Sequence, residues 1–267
     1  MGYRFVDLSM PVHQDMKVFP RLAQPKMEVV DSWEGFAKAI GADEFGEDHL
    51  TAHYSITVSD HAGTHMDALK HMGDENTPGP EGIPLDYCFG DGVVLDFRHL
   101  EFGAAISVDD MKAALAKIDY TLKPRDIVLI RTGASEYNDQ DRYLTDHVGM
   151  SAEATRWLIE QDCRVTGTDA PTYDAPVWAM FETKSFWPAH KVMMTEPYWH
   201  IENLTNLGDL PPVGFKLSVF PIKWVGTTGG PRSRCGDHRW VRPFSGSTTL
   251  RAVRSPPRAA RAQAWPR

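Results

Sequence analysis

Short apolar runs that alternate with capped, amphipathic segments constrain the fold of this chain more than any other feature. Residues 92–97 and 126–131 are mostly apolar and have the length of a buried strand, and residues 165–168 indicate a further short strand. Ser107 and Ser151 stand between these runs at positions typical of a helix N-cap, and apolar residues follow each serine at helical spacing. Because strand and helix alternate along the chain, the sequence predicts an α/β fold built on a largely parallel, open sheet.

A further predicted strand leads into a group of histidines. Residues 51–59 alternate between polar and apolar side chains, with Tyr54, Ile56 and Val58 on one side, which predicts a half-buried strand. His61 follows at the end of this strand, where α/β proteins commonly place functional residues.

Residues 61–71 read HAGTHMDALKH and contain three histidines and one aspartate, whose nitrogen and oxygen atoms are common metal ligands. His61 and His65 would lie on one face of a helix but Asp67 would not, so we expect a mixed turn-and-helix geometry, with Gly63 at the turn. Any one of these residues alone is more often an ordinary surface or core residue. Their clustering favours a metal site, because burying four unpaired polar groups would be costly. We predict that His61, His65 and Asp67 bind a catalytic metal that keeps an open position, and that His71 acts as a base beside it.

The pattern His-x-Gly-Thr-His-x-Asp-x-x-x-His resembles the signature of the cyclase family of metal-dependent hydrolases, which includes bacterial kynurenine formamidases and isatin hydrolases. The resemblance extends from Asp7 to about Gly230. The common form of the motif has proline two residues before the last histidine, whereas this chain has Leu69. The resemblance implies a single layered α/β domain of the swivelling β/β/α type over residues 1–230. It also implies a homodimer or a higher homo-oligomer.

The same resemblance adds two residues that local spacing does not connect. Family members place a ligand histidine, and later a ligand glutamate before Asn-Leu, at the spacing of His190 and Glu202. It therefore implies that His190 and Glu202 bind a second or shared metal position, with Asp67 as the bridging carboxylate. His200 is an alternative ligand of lower rank. The expected cofactor is one or two divalent ions, zinc or manganese.

These residues predict a hydrolase that opens the C–N bond of a cyclic amide, cyclic imide or aryl-formamide through a metal-activated water. His71 would return a proton to the leaving nitrogen. Two enzymatic alternatives stay open: a lactone or ester hydrolase using the same site, and a ferrous oxygenase, whose two histidines and one carboxylate match the same pattern. The chain has no Gly-x-Ser-x-Gly element and no nucleotide-binding glycine motif, so neither a serine nucleophile nor a nucleotide cofactor is expected.

Aromatic residues around the predicted site indicate a small-molecule substrate that is aromatic or cyclic, although ordinary packing explains these residues equally well. One group lies in the N-terminal segment, which the family resemblance implies helps to cover the active site, and the other group precedes His190. The two groups are Phe19, Trp33 and Phe36, and Trp178, Phe181, Phe186 and Trp187.

Charge divides the chain into two parts. The 267 residues carry a net charge of −8, yet residues 231–267 hold nine arginines and one acidic residue. The acidic body argues against a nucleic-acid enzyme. Residues 231–267 form an atypical Arg/Pro-rich tail, predicted to be disordered, and a basic interaction arm for nucleic acid or membrane is the non-enzymatic alternative.

No run is long and apolar enough for a membrane span, no signal peptide opens the chain, and three widely spaced cysteines do not indicate a disulfide scaffold. We therefore expect a cytoplasmic protein.

Overall fold

The computed structural model describes residues 4–231 and 236–238. The α-helices are α1 (Trp33–Ala39), α2 (Val108–Lys117), α3 (Ala152–Glu160) and α4 (Val177–Thr183). The strands are β1 (Phe5–Val6), β2 (Lys26–Asp31), β3 (His53–Thr57), β4 (His65–Asp67), β5 (Phe89–Asp96), β6 (Ala105–Ile106), β7 (Ile127–Arg131), β8 (Gly149–Met150), β9 (Val165–Thr168), β10 (Trp199–Glu202), β11 (Phe215–Ser218), β12 (Gly229–Pro231) and β13 (Gly236–His238). Short 3-10 helices span Ala42–Phe45, Leu69–His71, Pro80–Gly82, Leu85–Tyr87, Ala134–Tyr137, Asp141–Leu144, His190–Met194 and Leu207–Asp209.

A curled nine-stranded sheet forms the centre of the described structure, with the order β1-β13-β11-β5-β7-β9-β10-β4-β12. The central strands β5, β7, β9 and β10 are parallel, which agrees with the predicted alternation of strand and helix. The flanking strands β11, β4 and β12 are antiparallel to their neighbours, so the sheet is mixed. The α/β fold class is confirmed, and the sheet is less uniformly parallel than predicted.

The middle of β5 and most of β7 are apolar because both faces of the sheet are buried there. In β5, Val93 and Leu95 point into the core beneath α2 and α3, whereas Val94 points into the core on the opposite face. Val128 and Leu129 of β7 divide in the same way. Fully burying one such side chain stabilises the fold by about 1.5–3 kcal/mol.

The two predicted helices begin at the predicted caps. Ser107 Oγ accepts a hydrogen bond from the Asp110 backbone N–H, and Asp110 Oδ2 accepts one from the Ser107 N–H, which forms a capping box. Ser151 Oγ accepts a hydrogen bond from the Ala154 N–H in the same way. The buried helix residues are Met111 and Leu115 of α2, and Ala154, Thr155, Leu158 and Ile159 of α3.

The strand predicted over residues 51–59 is shorter and lies on the surface. It forms β3, which among the described strands pairs with β2 alone, in an antiparallel ribbon outside the large sheet. Tyr54 and Ile56 are 55% and 60% exposed, so the prediction of a half-buried strand is wrong for the single chain. Alternation identifies a face suited to burial, but it does not identify the surface that covers it.

The end of the described structure also differs from its prediction. The closing strand predicted over residues 214–226 is limited to β11, since Pro221 follows and cannot donate to a sheet ladder. Residues 236–238, inside the segment predicted to be disordered, form β13 between β1 and β11, so the expectation of disorder does not hold for these three. The sequence does not indicate β13, because pairing through backbone hydrogen bonds requires no apolar pattern. Pro231, the first residue of the predicted tail, ends β12. Residues 232–235 and 239–267 of the predicted tail lie outside the described residues.

None of the described helices has the length and apolarity needed to cross a membrane.

Candidate metal centre

Two antiparallel strands, β4 and β10, bring distant parts of the sequence onto one face. His65 and Asp67 are alternate residues of β4 and therefore point to the same side. Glu202 of β10 lies opposite His65 in the pairing register, and Ile201 lies opposite Met66. Ile201 and Met66 point into the apolar core. The opposite face of this strand pair consequently carries the polar side chains.

The turn before β4 requires a glycine. Gly63 has φ +68°, and a Cβ atom there would stand 2.9 Å from Val12 Cγ2. This turn directs the His61 side chain towards Asp67. The 3-10 helix Leu69–His71 then returns His71 to the same place. The expected turn and helical segment are both present, with the strand β4 between them.

The five predicted metal ligands converge on the Asp67 carboxylate, whose side chain is completely buried. On its Oδ1 side, His61 Nδ1 lies at 3.0 Å and His65 Nε2 at 3.1 Å. On its Oδ2 side, His190 Nε2 lies at 3.4 Å. Glu202 completes the set, with its Oε2 3.6 Å from His65 Nε2 and its Oε1 3.4 Å from His190 Nε2.

Two further histidines face the same carboxylate oxygen. His200 Nε2 lies 3.1 Å from Asp67 Oδ2, although the sequence ranked this residue lower. His71 Nε2 lies 3.7 Å from the same oxygen, and its side chain is 31% exposed. The donor atoms of Asp67, His190, His200 and Glu202 lie within 4.8 Å of one another, as do those of His61, Asp67 and His71.

The imidazoles of the motif are oriented by hydrogen bonds on their far sides. His61 Nε2 donates to Thr228 Oγ1, whose hydroxyl donates to Asp60 Oδ2. His65 Nδ1 donates to the backbone carbonyl of Gly63. A histidine whose second nitrogen donates in this way keeps a lone pair on the nitrogen that faces the metal. His61 and His65 therefore direct Nδ1 and Nε2, respectively, towards Asp67.

His190 is held in the same manner by a buried carboxylate. Its Nδ1 lies 2.5 Å from Asp174 Oδ2, and the Asp174 side chain is completely buried. Asp174 also accepts hydrogen bonds from the backbone N–H groups of Ala189 and His190. These contacts fix the start of the 3-10 helix His190–Met194 and aim His190 Nε2 at the centre.

The buried carboxylates of the centre shift the pKa values of the imidazoles around them, and the imidazoles shift that of Asp67. Although burial alone would raise it, the pKa of Asp67 is held well below its usual value by the charges of His71, His61 and His200. Burial favours neutral His65, but the charges of Asp67, whose Oδ1 lies 3.1 Å from His65 Nε2, and of Glu202 outweigh burial and raise the pKa of His65 to about 9. His190 likewise has a raised pKa, because Asp174, Asp67 and Glu202 outweigh its burial. Protons bound to these imidazoles supply the charge that a cation would supply.

Unsatisfied atoms at the same point fit a metal ion. Both oxygens of Asp67 and the Nε2 of His65 are buried and have no properly directed hydrogen bond among the described residues. Native structures leave few buried polar atoms in this condition. Carboxylate oxygen and imidazole nitrogen are the usual ligands of zinc, and they also bind manganese.

His71 differs from the other imidazoles of the motif. Burial lowers its pKa to about 4, which leaves it neutral near neutral pH. No hydrogen bond orients its second nitrogen among the described residues, and it lines a cavity of about 320 Å³. This position suits proton exchange with a molecule in the cavity.

Aromatic side chains form part of the cavity wall, and only some of the predicted ones take part. Phe19, Phe186 and Trp187 line the cavity, and the rings of Phe19 and Trp187 meet edge to face at 6.4 Å. The others have different neighbours. Trp33 stacks on His49, whereas the rings of Phe36 and His53 meet edge to face. Trp178 donates a hydrogen bond to the Thr145 carbonyl, and Phe181 packs on Phe186.

Several residues that build the site were not identified from the sequence. Asp174 lies sixteen residues before His190, and Thr228 lies far from His61, so spacing gives no signal for either contact. Asp60 directly precedes the motif, and its acidic side chain was a usable signal. Asn203 follows Glu202 with φ +58°, a conformation that asparagine tolerates better than most residues.

Comparison with known proteins agrees with this geometry. The sequence matches the family model described as "Putative cyclase" over residues 6–175. Kynurenine formamidase of Erythrobacter litoralis (strain HTCC2594) is 30% identical over 175 residues, which are 66% of this chain and 72% of the relative. Kynurenine formamidase of Salinibacter ruber (strain DSM 13855 / M31) is 26% identical over 177 residues, which are 66% of this chain and 76% of the relative.

Solved structures share the fold. Isatin hydrolase A from Labrenzia aggregata, bound to benzyl benzoate, has a TM-score of 0.74 at 25% identity and covers 88% of this chain and 94% of its own. An isatin hydrolase bound to the product analogue thioisatinate has a TM-score of 0.75 at 17% identity. The match covers 88% of this chain and 92% of that hydrolase, and it supports the fold alone. Because the family model spans more than half of the sequence, the chain belongs to the Putative cyclase family.

Proposed function

We propose that this chain is a metal-dependent hydrolase that opens the C–N bond of a cyclic amide, a cyclic imide or an aryl-formamide. The observation that carries the proposal is the Asp67 carboxylate. It is buried without a directed hydrogen bond, flanked by oriented imidazoles, and adjacent to a cavity with aromatic walls. The similarity to kynurenine formamidases and isatin hydrolases supports an amide bond as the target.

The donor set divides between the two oxygens of Asp67. His61 and His65 would hold an ion with Oδ1, and His190 and Glu202 would hold a second or shared ion with Oδ2. Zinc and manganese both accept these donors. When bound, such an ion lowers the pKa of a water molecule to about 7 and polarises a carbonyl oxygen.

His71 supplies the proton transfer that amide cleavage needs. An amide nitrogen is a poor leaving group until it is protonated, and a neutral imidazole is able to accept a proton from water and pass it to nitrogen. The lowered pKa of His71 keeps its lone pair free near neutral pH, and its position on the cavity wall gives it access to the substrate.

The cavity wall favours a flat, largely apolar substrate. The rings of Phe19, Phe186 and Trp187 offer faces and edges on which an aromatic or cyclic amide would pack. Lys17 and Lys191 are the basic side chains that contribute to the same wall, apart from its histidines. They offer hydrogen-bond donors to carbonyl or carboxylate groups of the substrate.

A substrate panel tests the proposal against its alternatives. Protein stripped with a chelator and reloaded with zinc or manganese would be offered isatin, N-formylkynurenine, a cyclic imide and a lactone, with dissolved oxygen monitored. We expect ion-dependent hydrolysis of at least one amide without oxygen consumption. The His61→Ala/His65→Ala double variant serves as the control and should lose activity together with the ion that these two histidines would hold with Asp67 Oδ1. Turnover of the lactone alone would support the ester-hydrolase alternative, and oxygen consumption with ferrous iron would support an oxygenase.

A further inference from the structure

Four buried donor atoms on one side of Asp67 are spaced like the ligands of a single ion. His200 Nε2 lies 3.1 Å from Asp67 Oδ2, 3.4 Å from Glu202 Oε1 and 3.3 Å from His190 Nε2. His190 Nε2 lies 3.4 Å from each of the same two oxygens. A tetrahedral ion with bonds of about 2.0–2.1 Å separates its ligand atoms by about 3.3–3.4 Å. The five distances are therefore close to those of a four-ligand site.

The contact between the two imidazoles has only two explanations. His190 donates its Nδ1–H to Asp174, so its Nε2 carries a lone pair that faces the Nε2 of His200. Either His200 Nε2 carries a proton, which His190 Nε2 or the nearer Asp67 Oδ2 accepts, or an ion lies among these atoms. An ion that takes the lone pair of His190 must displace that proton, and the freed lone pair of His200 then faces the same ion.

We infer that His200 is a ligand of the second ion position, together with Asp67, His190 and Glu202. This inference rests on the proposed metal-dependent function and adds a residue to its donor set. Four protein ligands are typical of a structural ion, whereas three ligands and an open position are typical of a catalytic one. His61, His65 and Asp67 Oδ1 supply three donors to the other position, where Glu202 Oε2 lies 3.6 Å from His65 Nε2, and His61 lines the cavity.

The two ion positions consequently have different roles. The position beside His200 is closed by protein groups, and it ties β4 to β10 and to the 3-10 helix that carries His190. The position beside His61 faces the substrate. His200 and Asp67 are completely buried and absent from the cavity wall, whereas His190 and Glu202 line the cavity, so the position is closed on the side of His200 and Asp67.

The second ring nitrogen of His200 distinguishes it from the other ligand imidazoles of the centre. Ligand histidines almost always donate their second N–H. Nδ1 of His200 has no acceptor among the described residues, although the ring is stacked on Tyr173 at 4.5 Å. A direct report on the nitrogen atoms of His200 is therefore needed, in addition to binding measurements.

The experiment measures ion retention and imidazole state, not activity. Zinc per chain would be determined by elemental analysis against increasing chelator concentration, for wild type, His200→Leu and the exposed control His99→Leu. We expect the wild type and His99→Leu to release their most tightly held ion at the same chelator concentration. His200→Leu should release it at a concentration lower by more than the roughly 10–100-fold that loss of a residue hydrogen-bonded to a ligand costs. Long-range ¹H–¹⁵N spectra of the zinc-loaded wild type should show His200 Nε2 coordinated and Nδ1 protonated.

A spectrum with a proton on His200 Nε2 in the zinc-loaded wild type would overturn the inference, even where His200→Leu fails to fold. Release from His200→Leu at the wild-type chelator concentration would overturn it as well. Ion binding through His200 without amide hydrolysis would refute the proposed function and leave the inference standing. Ion-dependent amide hydrolysis by a protein in which His200 is not coordinated would support the proposed function and refute the inference.

Discussion

Asp67 shows how a single residue creates the site. A carboxylate with no exposed surface loses its hydration, and only nearby positive charge or directed hydrogen bonds make its burial tolerable. In this chain the imidazoles supply the charge, and three of them are turned towards Asp67 by Thr228, Gly63 and Asp174. The residue types of the motif were readable from the sequence. Their orienting partners were not, since those contacts depend on the fold.

The assigned role of His71 predicts a separation of metal binding from catalysis. His71→Ala should retain the bound ion and the melting temperature, and it should lose about 10²–10⁴-fold in kcat, the range that general acid–base catalysis supplies. Elemental analysis and steady-state kinetics on the same preparation measure the two properties. Loss of the ion together with the rate would instead identify His71 as a ligand.

The raised pKa of His65 predicts the pH dependence of ion binding. Below its pKa of about 9 the metal-free imidazole holds a proton, and a metal ion binds only after displacing that proton. Zinc affinity should therefore increase as the pH rises towards about 9, with protons released on binding. Calorimetric titrations in buffers of different ionisation enthalpy measure the protons released. An affinity that is constant across the neutral range, with no proton release, would contradict this account.

At the scale of elements, the site depends on the register of three strands. β10 and β12 pair with the two edges of β4, so His65 has Glu202 on one side and Pro231 on the other. The sequence predicted the central strands β5 and β7 from their apolar runs, Val93–Leu95 and Ile127–Ile130, and predicted β9 as a short strand. It did not predict β4, which has three residues and mixes apolar and metal-binding side chains.

Gly229 of β12 offers a test of this arrangement. A Cβ atom at Gly229 would lie 3.0 Å from His61 Cε1 and 2.9 Å from the Asp60 carbonyl oxygen. Gly229→Ala should therefore displace His61 and weaken ion binding by about 10–100-fold, as loss of an orienting contact does. Zinc competition with a chromophoric chelator measures the change.

Gly230→Ala is the matched control for that prediction. Its Cβ atom would meet the Ile222 carbonyl oxygen at 2.7 Å, away from His61. This variant should lower the melting temperature while its folded fraction binds zinc like the wild type. Equal zinc affinity for Gly229→Ala and the wild type would show that the position of His61 does not depend on β12.

At the scale of the whole molecule, the β2–β3 ribbon presents apolar side chains that the chain itself leaves exposed. Val29 lies opposite Tyr54 and Met27 opposite Ile56, and Val29, Tyr54 and Ile56 are each more than half exposed. The alternation of residues 51–59 predicted a covered face. Sequence pattern alone does not distinguish cover within the chain from cover by another subunit.

The ribbon is where we expect subunits to meet, in line with the oligomer that the family resemblance implies. Light scattering should give a mass that is a multiple of 30.0 kDa. Ile56→Lys should shift the protein towards the monomer, because it places a charge on the apolar face. Ser55→Lys, on the opposite face of the same strand, is the control and should leave the mass unchanged. A monomeric wild type would remove the ribbon as an interface.

The central claim is that an ion held at Asp67 is required for amide hydrolysis, and a metal titration of the stripped protein tests it most directly. Zinc or manganese would be added to chelator-treated protein while hydrolysis of an aryl-formamide is followed. The rate should rise from near zero and saturate at a fixed number of ions per chain, and Asp67→Asn should stay inactive at every ion concentration. A stripped wild-type chain that hydrolyses the substrate as fast as the loaded chain would contradict the claim.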